Sequence, residues 1–205
     1  MIIIIEGISA AGKTTWCRRH AGHCLVPESY PADRKSQPET GRATAQYWTD
    51  WNAKRWGDAL TMEADREIAV CDTDPMKLHF NWSLCQIGLH PPSQWAFQRD
   101  ATREAMRAGK LGFGDAYFVK VIDPDVARRQ RDGDTTRRRD RFDLHVRLQP
   151  TLVRWYKTLD GLLPGHVHWG LPETGLPNHS VRKNAHRYNL DLFDMFTARL
   201  DAPVV

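Results

Sequence analysis

Gly7, Gly12, Lys13 and Thr14 stand at the spacing G-x-x-x-x-G-K-[ST], a pattern suited to binding polyphosphate. Glycine at both ends lets the backbone turn so tightly that successive N–H groups point into one hollow. A helix beginning near Lys13 adds its positive N-terminal end. Lys13 is then placed to reach the β- and γ-phosphates of a nucleoside triphosphate, and the Thr14 hydroxyl to ligate Mg²⁺. Ser9, Ala10 and Ala11 are small enough to keep the approach open, and Thr15 completes the run of candidate nucleotide contacts. ATP and Mg²⁺ are the expected cofactors.

Three further groups could take part in chemistry. Glu28 follows Val26-Pro27 and offers a carboxylate that could accept a proton from an attacking hydroxyl; a solvated loop residue is the alternative. Asp72 and Asp74 form a D-T-D run, where Asp72 could organise Mg²⁺ through water or itself serve as base, and where an Asp can also simply cap the next helix. Between Arg128 and Arg141 there are seven arginines and no lysine. Arginines brought over a transferring phosphoryl group stabilise its spread charge, and Arg128, Arg131 and Arg138 are the candidates; a solvated helix face explains the same run more simply. No aromatic residue interrupts it, and Asp132, Asp134 and Asp140 dilute it, so the stacking-plus-phosphate pattern of a nucleic-acid surface is missing.

The elements that must position these groups follow from hydrophobic patterning. Residues 2–5 are four isoleucines, a β-branched run suited to a strand covered on both faces. Residues 15–20 continue as a helix until Gly22 ends it. Further strands are expected at 24–26, 67–71, 116–122 and 166–169, with helices over 42–64, 76–87, 93–108, 142–160 and 185–200, and a surface loop over 29–40. Strands alternating with helices indicate an α/β fold with a five-stranded parallel sheet. Ligands of such sheets gather beyond the carboxyl ends of the strands, where Gly7, Glu28, Asp72, Asp123 and Leu171 fall. The tryptophans at 48, 51, 56, 82 and 95 could wall a flat substrate, but aromatics at helical spacing belong more often to a core.

Composition sets the frame. The 205 residues suit a single domain, and 41% apolar with 26% charged residues is ordinary for a globular chain. No apolar run reaches the ~20 residues needed to span a bilayer, and Met1 leads directly into the first strand, so the expected location is the cytoplasm. The four cysteines (Cys17, Cys24, Cys71, Cys85) lack zinc-type spacing and suit reduced core thiols. His20, His23 and Cys24 gather at a helix end, where such a grouping is more often incidental than metal-binding.

On the loop Gly7–Thr14, with Glu28, the Asp72 strand end and the arginine run in matching order, the chain resembles the P-loop kinases of nucleosides and nucleotides, of the deoxynucleoside kinase and thymidylate kinase type and including tunicamycin-resistance-like ATP-binding proteins. That resemblance implies a P-loop kinase fold over about residues 1–175, with an arginine-rich lid over about 124–141. It also implies Glu28 as the base, a strand-end acid at Asp72 and an adenine-holding loop at 171–175. One departure stands out: related kinases place a substrate-holding arginine directly after the acid, and this chain has Thr73. The expected function is ATP- and Mg²⁺-dependent phosphoryl transfer to a hydroxyl of a small molecule, with a nucleoside-like compound as the favoured acceptor. A nucleoside monophosphate kinase and an antibiotic-modifying phosphotransferase share that chemistry. A regulatory NTPase and a nucleic-acid end kinase are the alternatives of other classes, the second kept open by a pI near 9.0. No membrane partner is expected, a nucleic-acid partner is disfavoured, and a homodimer remains open.

Overall fold

A computed structural model of the protein describes residues 1–32, 37–38, 40–134, 141–176 and 182–202. The strand β1 (Ile2–Gly7) is fully buried, as its isoleucines require, and is the middle strand of the sheet. Around it lie β2 (Leu25–Val26), β3 (Ala69–Asp72), β4 (Ala116–Lys120) and β5 (Val167–Trp169), in the order β2-β3-β1-β4-β5 with every pairing parallel. Alternation along β1 divides its side chains between two cores. Ile2 and Ile4 join Trp56, Trp82, Trp155, Phe193 and Phe196 in the larger one. Ile3 and Ile5 meet Trp16, Cys17, Val70 and Phe118 on the opposite face.

The helices are α1 (Lys13–Ala21), α2 (Gly41–Arg66), α3 (Leu78–Gln86), α4 (Pro92–Arg107), α5 (Pro124–Asp132), α6 (Phe142–Arg147), α7 (Gln149–Asp160) and α8 (Leu190–Asp201). Helix α1 supplies the smaller core. Helices α2, α3, α4, α7 and α8 pack on one another over the larger one. Trp56, Trp82 and Trp95 are core residues of that layer, so the expected alternative of a substrate wall does not hold for them. Cys17, Cys24 and Cys71 are buried free thiols, as expected, while Cys85 is half-buried. Among the described residues no helix is long and apolar enough to cross a membrane.

Several boundaries differ from the sequence reading for local reasons. The expected single helix over 142–160 is two, divided at Leu148, because Pro150 lies in the first turn of α7 and has no N–H to continue the α6 ladder. The Gln149 side chain fixes that junction, donating to the Ile122 carbonyl at 2.8 Å and accepting from the Ile122 N–H at 3.0 Å. The third strand begins at Ala69, because Glu67 takes a left-handed φ of 63° that ends α2. The last helix begins at Leu190, where the Asn189 side chain accepts from the Leu192 N–H.

At the amino ends of the strands, opposite the phosphate loop, Arg187 ties the chain together. It donates to both Glu63 oxygens at 2.8 and 3.0 Å and to Asp115 Oδ2 at 2.6 Å. The buried Asp115 carboxylate also accepts from the Ile2 and Asn184 N–H groups.

Candidate active site

Strand β1 lies between β3 and β4, so its carboxyl end opens where the chain leaves the sheet in both directions, the place where parallel sheets bind ligands. There the loop from Gly7 to Gly12 curls over the end of β1 and runs into α1. Gly7 has φ +150°, and a Cβ on it would lie 2.6 Å from the Lys120 carbonyl oxygen of β4, so backbone shape and packing both require glycine. Gly12, at φ +83°, is the left-handed residue from which α1 starts. Ala10 also takes a positive φ, of 65°. Residues 6–15 together with Arg18, Glu28, Tyr30, Lys77, His79, Phe80, Ser83 and His145 border one cavity of about 290 Å³. That volume is near the lower end of the ~300–1,000 Å³ usual for small-ligand sites.

Lys13 Nζ donates to the Gly7 and Ile8 carbonyls at 2.6 and 3.1 Å, which places its ammonium inside the loop. Thr14 Oγ1 donates to Asp72 Oδ2 at 2.6 Å. Burial, opposed by that hydrogen bond and by Lys13, raises the Asp72 pKa, and its second oxygen, Oδ1, is buried without a hydrogen-bond partner. A hydroxyl beside a carboxylate with one uncompensated buried oxygen fits a divalent cation that takes its other ligands from phosphate and water. Among the described residues no group of three or more His, Cys, Asp or Glu could hold a metal ion by itself.

The turn that carries Asp72 is braced from beneath. Thr73 has a left-handed φ of 79°, and the buried Arg55 of α2 donates to the carbonyls of Asp72, Thr73 and Asp74 at 3.3, 3.1 and 3.5 Å. Asp74 itself is fully enclosed. Its Oδ1 accepts from the Met76 N–H at 2.9 Å and its Oδ2 from Tyr156 at 3.4 Å, which makes it a turn residue. Glu6 joins this turn to the loop: Oε1 accepts from the Gly7 N–H at 2.8 Å and Oε2 from the Asp74 N–H at 3.1 Å, with 2% of the residue exposed.

Glu28 reaches the cavity from the segment after β2. Lys77 Nζ and Tyr30 Oη both donate to its Oε1, the tyrosine at 2.8 Å. Burial would raise the Glu28 pKa, but Lys77, through charge and hydrogen bond, outweighs it and holds the carboxyl at about 2. Lys77 caps α3 in the left-handed region, at φ 47°. Lys77 thus brings a cation to the cavity four residues after Thr73. His79 and His145 are both pushed down to about 4 by burial and are neutral at pH 7, and His145 stacks on Phe80 at 5.9 Å.

The structure thus brings Gly7, Ser9, Ala10, Ala11, Gly12, Lys13, Thr14, Thr15 and Glu28 to one cavity wall, with Asp72 joined to it through Thr14. It does not bring Arg128 or Arg131 there. Arg128 pairs with Asp125 at 2.6 Å, and Arg131 pairs with Asp132 at 2.7 Å while lying over the Phe142 ring. Arg138 lies outside the described residues, as does much of the expected lid. Sequence reasoning missed Glu6, Tyr30, Lys77, His79, His145 and Arg55. Glu6 alone carried a signal, a lone charge closing an all-isoleucine strand directly before Gly7.

The fold defined by this sheet, loop and helix arrangement is that of the P-loop kinases. No protein-family model and no curated protein sequence matches the chain. Among solved structures it is similar to the deoxyadenosine kinase of M. mycoides with bound dATP, at a TM-score of 0.54 over 98% of this chain and 100% of that one, with 14% sequence identity.

Proposed function

We propose that the protein transfers a phosphoryl group from Mg²⁺-ATP to the hydroxyl of a small, nucleoside-like molecule. One observation carries the reading: the phosphate loop and the Glu28 carboxylate open into the same cavity. A donor hollow and a proton acceptor that share one enclosure suit transfer between two bound molecules. In this reading residues 7–15 hold the triphosphate, with Lys13 leaving the loop carbonyls to meet it. Thr14 and Asp72 hold the metal, which supplies charge neutralisation on the phosphate oxygens. Glu28 accepts the proton of the attacking hydroxyl.

The charges lining the cavity favour a neutral acceptor over a phosphorylated one. Near Glu28 the cavity is bordered by Tyr30, Lys77, His79 and His145, with Arg18 on the loop side; the lysine already pairs with Glu28 and the histidines are neutral at pH 7. A nucleoside monophosphate would bring two negative charges beside Glu28, where the adjacent cation, Lys77, is already paired. That favours a nucleoside over a nucleotide. Arg128 and Arg131, paired locally and away from the cavity, add no support to a lid role in this arrangement.

The reading also draws on the fold-level similarity to a nucleoside kinase. It is tested by screening nucleosides, nucleoside monophosphates and hydroxyl-bearing antibiotics for acceptor-stimulated ADP release. A nucleoside should stimulate release and Lys13→Ala should abolish it. Stimulation by monophosphates alone, or turnover retained in Lys13→Ala, would overturn the reading.

A further inference from the structure

We propose that Lys77 couples the two halves of this cavity: it covers Glu28 while the phosphate hollow is empty, and moves toward the phosphate when nucleotide binds, exposing the carboxylate to the acceptor hydroxyl. This inference rests on the nucleotide-binding reading above and adds to it an order of events and a residue responsible for it.

The geometry supplies the first position of the switch and one cavity that joins it to the phosphate hollow. Among the described lining residues, Lys13 and Lys77 are the two ammonium groups, and both are engaged by protein oxygens, Lys13 by the Gly7 and Ile8 carbonyls and Lys77 by Glu28 Oε1. The two border one cavity, together with Glu28, His79 and His145. The Lys77 side chain crosses from the start of α3 to Glu28 in the segment after β2, and its Nζ lies 5.4 Å from the Tyr30 ring. A triphosphate in the hollow presents up to four negative charges to an ammonium that otherwise faces one carboxylate, and in a partly dry cavity that difference favours moving the lysine.

The consequence for Glu28 is chemical. The groups that face it are Lys77 and Tyr30 on Oε1 and, at longer range, Lys13, Asp72, His79 and His145. Among these influences on Glu28 burial is the largest, and burial raises proton affinity. With Lys77 withdrawn, the carboxylate becomes a stronger base at the moment ATP is in place. The transfer then balances: the acceptor oxygen bonds to the γ-phosphorus, the bond from that phosphorus to the bridging oxygen breaks with its electron pair leaving on ADP, and the hydroxyl proton passes to Glu28. Without nucleotide, the same carboxylate is held by Lys77 and is a poor base.

The test follows the Glu28 side-chain carboxyl by ¹³C NMR across pH, assigned with Glu28→Gln, with and without the β,γ-imido analogue of ATP and Mg²⁺. In the wild-type protein the analogue should raise the Glu28 titration midpoint by about one pH unit or more. In Lys77→Met the midpoint should already be raised and respond little to the analogue, while Lys77→Arg should behave as wild type. An unchanged wild-type midpoint with the analogue bound overturns the proposal, as does a Lys77→Met titration identical to wild type. If Lys77→Met does not fold, the wild-type comparison decides alone. Failure of the analogue to bind overturns the nucleotide reading and this proposal with it. A Glu28 response in a protein that phosphorylates no acceptor leaves the coupling standing and removes only the kinase reading.

Discussion

Thr14 Oγ1 donates to Asp72 Oδ2 across 2.6 Å, joining the first turn of α1 to the end of β3 although 58 residues separate them in sequence. The Oδ1 of the same carboxylate is buried without a hydrogen-bond partner, as the proposed metal role requires. Asp72→Asn keeps the shape and removes the charge, so it should raise the Mg²⁺ concentration needed for half-maximal activity by about 10–100-fold. Basal ATP hydrolysis should fall together with acceptor phosphorylation, because the metal serves both. A Mg²⁺ titration of ADP release in the two proteins checks this; an unchanged requirement would move the metal elsewhere.

Glu28 should behave differently. A base acts only when an acceptor hydroxyl is present, so Glu28→Gln should lower acceptor phosphorylation by about 10²–10⁴-fold while ATP affinity and basal hydrolysis stay near wild type. Steady-state kinetics with and without acceptor separate the two carboxylates. Transfer retained in Glu28→Gln and lost in Asp72→Asn at saturating Mg²⁺ would assign the base to Asp72.

Gly7→Ala tests the loop through packing. Its Cβ would stand 2.6 Å from the Lys120 carbonyl oxygen, a backbone atom that cannot turn away, and the residue must hold φ +150°. The variant should lose about 1–3 kcal/mol of stability and weaken ATP binding together. Gly12→Ala meets nothing within 4 Å and carries only the strain of a left-handed φ, so thermal melts should rank it as the milder change.

Acid stability should depend on the cluster at the other end of the sheet. Hydrogen bonds from Arg187, helped by the Met1 amino group and opposed by burial, hold the Glu63 pKa at about 2, below its ordinary 4.5. A carboxyl whose folded pKa is depressed contributes stability above its unfolded pKa and loses it as pH falls. The contribution of Glu63 is therefore complete above about pH 5 and disappears between about 4.5 and 2. Glu28 is held at about 2 as well and adds to the same acid limb. Arg187→Met should lower the melting temperature at pH 7 and flatten its fall toward pH 3. A parallel fall in both proteins would remove the cluster as a source of acid sensitivity.

The loop that forms one wall of the cavity was legible in the sequence, because its parts are local. Gly7 to Thr14 are contiguous, and the constraints on them, φ at the glycines, small side chains between them and a helix start at Lys13, act over a few residues and leave a pattern in residue type. The four isoleucines announced a strand covered on both faces for the same reason, and Pro150 carried a break in the long helix that periodicity over 142–160 concealed. Tertiary structure alone decided the opposite wall of the cavity. Glu28 was visible as a candidate base, but its ion pair with Lys77 spans 49 residues, and the Arg55 brace on the Asp72 turn spans 17 to 19. Nothing in the spacing of those residues records that they meet, since their approach is set by how β2, β3, α2 and α3 pack. Helical spacing favoured a core for the Trp56 and Trp82 rings over a ligand wall, and the packing of α2 on α4 and of α3 on α4 and α7 puts them there. Spacing reveals this loop because the constraints on it act within its own backbone; it is silent on a cavity whose walls come from separate segments, because burial and charge pairing there are properties of the assembled packing.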